Sequence, residues 1–331
     1  MERWTDALVA AGAVPASRVP EESSGRADVT EVAGAETVED ADLRVYPLSA
    51  TPTIPPAVSF LDGIQRWKVT YYDGVVPIVR AYVAAAVRRR TGDRRLRAAG
   101  EGWEGTREFH AAPVAALRPG VRAALEASGV ELVDVPLESG APGQPGPALE
   151  AARRAVERAR VALEQELGER YAPSLGESEW LVVDGVLSES AILAGHPRAL
   201  GVIKSHAAQY FEGDALRRAL TLPALHRTSV FRPRGRARHE VYSWYLRLWP
   251  WEGNDLLFGL LRIEARAAAA TVAAASATSA WLVRERAPVS TPDARWDRLL
   301  YPIHDVETYL RARAPRDFLP HRMPRVPRAA S

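Results

Sequence analysis

Val58-Ser-Phe-Leu-Asp-Gly-Ile-Gln-Arg-Trp-Lys-Val-Thr-Tyr-Tyr-Asp-Gly74 holds two apolar runs, each closed by Asp-Gly. Val58 to Asp62 is almost continuously apolar, as in a strand buried on both faces. Trp67 to Tyr72 alternates instead and leads into Asp73-Gly74, a pair suited to the positive backbone angles of a tight hairpin turn. Val75 to Val87 then reads as the returning strand. The stretch therefore predicts three consecutive antiparallel strands.

Working outward, Pro119 to Ser128 predicts a short helix and Val130 to Val135 an extra strand. A Gly/Pro/Gln stretch, Ser139 to Pro147, precedes a long amphipathic helix from Ala148 to about Arg170. Trp180-Leu-Val-Val-Asp184-Gly185 repeats the first pattern, a buried strand ending in Asp-Gly. Gly201 to Lys204 reads as another short strand. His239 to Leu248 and Leu256 to Glu264 form an antiparallel pair, followed by an alanine-rich helix over Arg266 to Arg286 and a last helix between Asp293 and Arg313. This order predicts an α/β fold, a ribonuclease-H-like mixed sheet with flanking helices. In that arrangement the fourth strand lies parallel to the first and beside it, so acids ending the two strands become neighbours.

Residues 1–55 read as an N-terminal extension, partly irregular, with a short helix at Trp4 to Ala11. The acidic run Glu31 to Asp42 and Pro47, Pro52, Pro55 and Pro56 argue against regular structure there. Residues 314–331 form a basic C-terminal tail.

Of 331 residues, 47% are hydrophobic, enough for a large core, and 25% are charged, an ordinary globular share. There is no cysteine, which excludes disulfides and thiolate metal sites. Any metal is then held by oxygen or imidazole, which favours hard ions such as Mg2+ or Mn2+. No apolar run reaches the roughly 20 residues that cross a bilayer, and Glu2 and Asp6 make the N-terminus a poor signal peptide. The expectation is a cytoplasmic protein without a membrane partner.

Net charge is only +2, yet arginine is clustered at Arg88 to Arg97, at Arg232, Arg234, Arg236 and Arg238, and from Arg311 onward. Guanidinium clusters suit phosphate. A chain in which arginine replaces lysine throughout gives the same pattern as a solvated face, and only Lys68 and Lys204 are lysines here.

Asp62 and Asp184 each end an apolar run. A buried carboxylate needs a cation or hydrogen-bond donors, and two together repel unless a divalent ion neutralises them. Alternatively both merely open turns, as Asp73-Gly74 does.

Several short motifs stand in an order that resembles the NurA nucleases. Phe60-Leu-Asp62-Gly63 looks like that family's first motif, and Leu181-Val-Val-Asp184-Gly185-Val-Leu187 like its second. Gly201-Val-Ile-Lys204-Ser205, then Tyr242-Ser-Trp-Tyr-Leu-Arg247 with Leu261-Arg262-Ile-Glu264, then Tyr301-Pro302 resemble the later ones, so residues 56–313 read as a NurA-like nuclease domain. The resemblance implies a ribonuclease-H-like fold and Mn2+- or Mg2+-dependent DNA cleavage, as a 5'-to-3' exonuclease or single-strand endonuclease. It also implies a homodimer working with a HerA-type hexameric DNA-translocating ATPase in end processing or defence. By position, Asp62 and Asp184 become metal ligands, joined by a helix glutamate. Arg160-Val-Ala-Leu-Glu164 fits best, with Glu157 and Glu150 one and two heptads earlier on a similar face. Lys204 would meet a phosphate, Tyr301 would orient DNA or water, and Trp249 and Trp251 would stack on unpaired bases or fill core.

Two positions depart from the family pattern. Ile64 stands where a small polar residue is usual, and Tyr309 where a histidine is usual, leaving His304 as the substitute or as an ordinary helix-start histidine. The displaced histidine keeps a second reading open, a non-catalytic DNA-binding or assembly subunit, and a third is cleavage of RNA or DNA–RNA hybrids.

Overall fold

The computed structural model describes residues 31–92, 95–136, 144–206, 208–235, 237–287 and 296–315. The helix expected at Trp4 to Ala11, the tail from residue 316, most of the Ser139 to Pro147 stretch, Arg94 and Arg236 lie outside them.

In chain order the strands are β1 (Glu31–Val32), β2 (Ala35–Thr37), β3 (Val45–Pro47), β4 (Ala57–Asp73), β5 (Val76–Arg90), β6 (Leu96–Ala98), β7 (Glu104–Ala112) and β8 (Glu131–Asp134). They continue with β9 (Glu179–Asp184), β10 (Ala199–Ile203), β11 (Ala208–Gln209), β12 (His226–Thr228), β13 (Phe231–Pro233), β14 (Val241–Arg247) and β15 (Leu260–Arg266). The helices are α1 (Pro119–Glu126), α2 (Pro145–Tyr171), α3 (Ala191–Gly195), α4 (Gly213–Leu220), α5 (Ala269–Arg284) and α6 (Tyr301–Arg313). The result is a mixed α/β protein whose sheet has both parallel and antiparallel pairs. No helix among the described residues is long and apolar enough to cross a membrane. The chain divides into two compact units, and β4 and β5 each run from one into the other.

The first unit takes residues 1–61, 88–99 and 168–305. Here β9 lies between two parallel neighbours, β4 from Ala57↔Glu179 to Leu61↔Val183, and β10 from Ala199↔Leu181 to Val202↔Asp184. Antiparallel β15 and β14 follow, Gly201 standing opposite Glu264 and Glu264 opposite Ser243. The apolar runs read from sequence are continuous because helices cover both faces. On one face the Tyr171 hydroxyl of α2 meets Ser59 Oγ at 2.8 Å, and Gly168 packs against Leu61 and Leu193. On the other, Trp244 Nε1 donates to Ser279 Oγ of α5 (2.8 Å), and Trp180 meets Trp281 edge-on at 6.2 Å.

Part of the N-terminal extension is regular. β2 pairs with β13 and β3 with β12, and Arg227, 3% exposed, is clamped by both oxygens of Glu39 at 2.7 Å. Three-residue strands are too short to show periodicity, so the acidic and proline-rich composition hid them.

The second unit takes residues 62–87, 100–167 and 306–331. Val58 to Asp62 and Trp67 to Tyr72 are halves of one 17-residue strand, not two strands, because Gly63 to Arg66 stay extended. The hairpin turn is where it was expected: Gly74 has φ +61°, and Asp73 accepts from Arg118 N at 2.7 Å. The third antiparallel strand is β7, paired with β5 from Val79↔Ala111 to Ala86↔Glu104. Its polar first half, Glu-Gly-Thr-Arg-Glu, concealed it. Val79, Ala81, Val83, Phe109 and Ala111 form a core with Ala152, Ala155, Val156 and Ala159 of α2. Small residues on that helix face let it lie close, and Leu163 comes near enough to Gly105 that an added Cβ there would be 2.9 Å from its Cδ1.

Candidate functional site

In the first unit, β9 ends on Asp184 and β10 on Ile203. Side chains alternate along a strand, so Val202 and Lys204 share a direction, and Val202 is opposite Asp184 in parallel register. Lys204 is thereby aimed at Asp184, and its Nζ donates to Asp184 Oδ2 at 2.8 Å with each side chain about one-fifth exposed. Arg298, 2% exposed, holds the Lys204 carbonyl at 2.8 Å. Lys204 therefore neutralises an acid in this structure.

The chain leaves Asp184 through Gly185, whose φ of +146° suits only glycine. The Gly185 N–H donates to Val202 O (3.1 Å), so the turn folds back over β10 at Gly201. A Cβ on Gly201 would lie 2.6 Å from Gly185 O. Farther along, Leu187 N and Ser188 N donate to Glu264 Oε2 at 2.8 and 3.2 Å, while Glu264 Oε1 takes Arg262 Nη1 at 2.6 Å. Glu264 is 2% and Arg262 6% exposed. Burial lowers the Arg262 pKa, but Glu264 together with Tyr210 and Tyr245 outweighs it and the net shift is upward. This pair anchors the Asp184 loop, a role that Arg-x-Glu in the sequence did not reveal; only the opposition of Gly201 and Glu264 does.

In the second unit, α2 runs along β4. Gln65 accepts from Arg160 Nε at 3.3 Å, and one step on, Glu164 covers Gly63, where an added Cβ would sit 2.9 Å from Glu164 Cγ and from Ala84 O. Glu164 is 7% exposed, whereas Glu157 and Glu150 face solvent, so the helix face itself distinguishes the three. Its carboxylate is held by Arg160 four residues earlier. Asp62 is 5% exposed, and its Oδ1 accepts from Gly63 N at 2.7 Å. Alternation turns Asp62 off the α2 face, so Asp62 and Glu164 flank the Gly63 peptide from its two sides. Ile64, the departure noted above, is buried at 5% exposure.

The C-terminal candidates lie on α6. Tyr301 begins α6 with 54% of its surface exposed, and His304, half-buried, donates its backbone N–H to Leu300 O at 3.2 Å. Tyr309, standing where the family pattern has histidine, hydrogen bonds Glu104 through its hydroxyl.

Much of the arginine clustering is satisfied internally. Arg88 pairs with Asp305 at 3.2 Å, Arg89 with Glu179, Arg90 with both oxygens of Glu285, Arg232 with Glu240 at 2.8 Å, and Arg238 with Glu189 at 3.2 Å. Trp249 is half-buried beneath the Arg286 guanidinium, 3.7 Å from ring centre, which favours packing over base stacking.

For a divalent ion the donors are of the right kind, carboxylate oxygens in a chain without thiolates. Glu164 rests in a cradle that a Cβ on Gly63 would fill. No group of three or more His, Cys, Asp or Glu side chains able to hold a metal is gathered among the described residues. Comparison with models of known protein families gives no match, and comparison with curated protein sequences gives none either.

Proposed function

We propose that the protein is a metal-dependent DNA nuclease of ribonuclease-H-like fold that uses Mn2+ or Mg2+, with Asp62 and Asp184 as the leading candidate ligands and Glu164 as the helix acid that the resemblance adds. The observation that carries this reading is the parallel register of β4 with β9. Leu61 stands opposite Val183, and each is followed in the chain by Asp-Gly. Two apolar strand segments side by side have no packing reason to reach a charge at the same register, Asp62 within β4 and Asp184 at the end of β9, whereas an oxygen-ligand site does. Glu164 meets Gly63, the residue after Asp62, from the α2 side, opposite to Asp62, so the helix acid enters the set through the resemblance and not through this geometry.

When bound, the ion supplies Lewis acidity and a water acidified toward neutrality. The chain's own contribution is to fix its carboxylates. Glu264 pins the Asp184 loop, Lys204 and Arg298 pin the end of β10, and Arg160 aims Glu164. Tyr301, exposed, orients the nucleic acid. The ordered motifs that resemble NurA add a homodimer and a HerA-type ATPase as partners, in DNA-end processing or defence.

A specific observation favours a second reading, the non-catalytic binding or assembly subunit. Asp184 and Glu164 each already hold a cationic side chain. The test is incubation of end-labelled single- and double-stranded DNA with the protein, with Mn2+ or with chelator, beside Asp184→Asn. Mn2+-dependent shortening of DNA that the variant lacks supports the nuclease. Binding without cleavage by the unaltered protein supports the second reading.

A further inference from the structure

A cleft of about 550 Å3 in the first unit is lined by Arg90, Arg95, Arg284, Glu285, Arg286 and Tyr301. Its acids are accounted for: Glu285 is gripped by Arg90, Nη2 to Oε1 at 2.5 Å, and Asp305, also on its wall, by Arg88 at 3.2 Å. Arg284 is exposed at the end of α5 and has no acidic partner among the described residues, and Arg286 has none there either. Arg286 is held in place, donating to Leu248 O at 2.6 Å and lying on the Trp249 ring. Burial, with the like charge of Arg284 beside it, pulls the Arg286 pKa below the usual arginine value. Two guanidiniums thus share a concave wall with no acidic partner of their own among the described residues, an arrangement that an anion relieves. On the same wall the Tyr301 ring is left 54% exposed, next to Pro302. A flat aromatic face beside paired guanidiniums matches a base joined to a phosphate.

We propose that this cleft binds a nucleotide through its phosphate monoester, with Arg284 and Arg286 on the phosphate and the base stacked on Tyr301. A monoester carries close to two charges near neutral pH, against one for an internal phosphodiester, so the uncompensated pair selects a terminal phosphate. The inference does not depend on nuclease activity, because binding is read without metal.

The test uses the full chain in chelator at fixed salt and short single strands labelled at the 3' end, carrying either a 5'-phosphate or a 5'-hydroxyl. Fluorescence anisotropy should show the 5'-phosphate form binding about tenfold tighter. Arg284→Ala, an exposed position, should erase that difference while circular dichroism stays unchanged, and Tyr301→Ala should weaken both strands alike. Competition separates the sources of the phosphate. Thymidine 5'-monophosphate displacing the strand at lower concentration than inorganic phosphate supports base stacking. Equal displacement by the two, with no effect of Tyr301→Ala, overturns it. Equal affinity for the two 5' ends, unaffected by Arg284→Ala, overturns the phosphate site itself. These outcomes differ from failure of the nuclease reading, which shows as DNA left uncut in Mn2+.

Discussion

Lys204 Nζ donates to Asp184 Oδ2 at 2.8 Å where two parallel strands end side by side. A lysine there satisfies the acid, and it also stands where a divalent ion would compete for the same oxygen. Lys204→Met should therefore tighten Mn2+ binding by about tenfold while slowing DNA cleavage. Isothermal titration with Mn2+ reads the first effect, and weaker binding in the variant would remove Asp184 from the proposed ligands.

Asp184→Asn keeps the shape and removes the charge. Cleavage in Mn2+ should fall at least about 100-fold, with thermal unfolding close to that of the unaltered protein. Retained cleavage sinks the assignment.

The Arg262–Glu264 pair is buried on β15, and loss of one partner strands the other. Arg262→Met should cost about 3–5 kcal/mol in chemical denaturation. Arg262→Met combined with Glu264→Gln should recover part of that, because no charge is then left alone. An equal or greater loss in the double variant contradicts a mainly electrostatic role for Arg262.

Gly201→Ala places a methyl group against the Gly185 carbonyl, a backbone atom with little room to yield. Destabilisation of about 1–3 kcal/mol is expected. Activity should drop further than unfolding explains, since the displaced turn carries Asp184. A variant as stable as the parent disproves the close crossing.

His206 sets a pH limit. Burial pushes its pKa down to about 4, although its Nε2 lies 3.1 Å from Leu260 O. A histidine depressed in the folded state takes up protons more readily when unfolded, near its ordinary 6.5. Its contribution is complete above that value and fades as pH falls from 6.5 toward 4, by up to about 1.4 kcal/mol per pH unit. The melting temperature measured from pH 7.5 to 5 should fall less steeply in His206→Phe than in the parent. Parallel slopes would exclude this residue.

The elements legible in the sequence were those whose burial imposes a rhythm. β9, β14, β15, α2 and α5 fall close to where their apolar patterns put them, and Asp73-Gly74 turns as its residue types require. Hidden features depended on pairing. β7 looks polar because half its residues face outward, and β2 and β3 are too short for any pattern. At the site, the sequence picked out Asp184 and Lys204 but not that one satisfies the other. Glu157 and Glu164 looked alike because they are separated by seven residues on one helix; the helix face that meets Gly63 distinguishes them. The arginine runs were the least legible, since ion pairs with acids as distant in the chain as Glu285 are invisible to composition.

The chain passes between its two units at residues 61, 87, 99, 167 and 305. Because β4 and β5 are unbroken across two of those passages, neither unit exists as a continuous gene segment. A single proteolytic cut cannot release one half intact. Insertions should thus accumulate at the Asp73-Gly74 tip, where the ribbon turns, and be rejected at Leu61 and Val87.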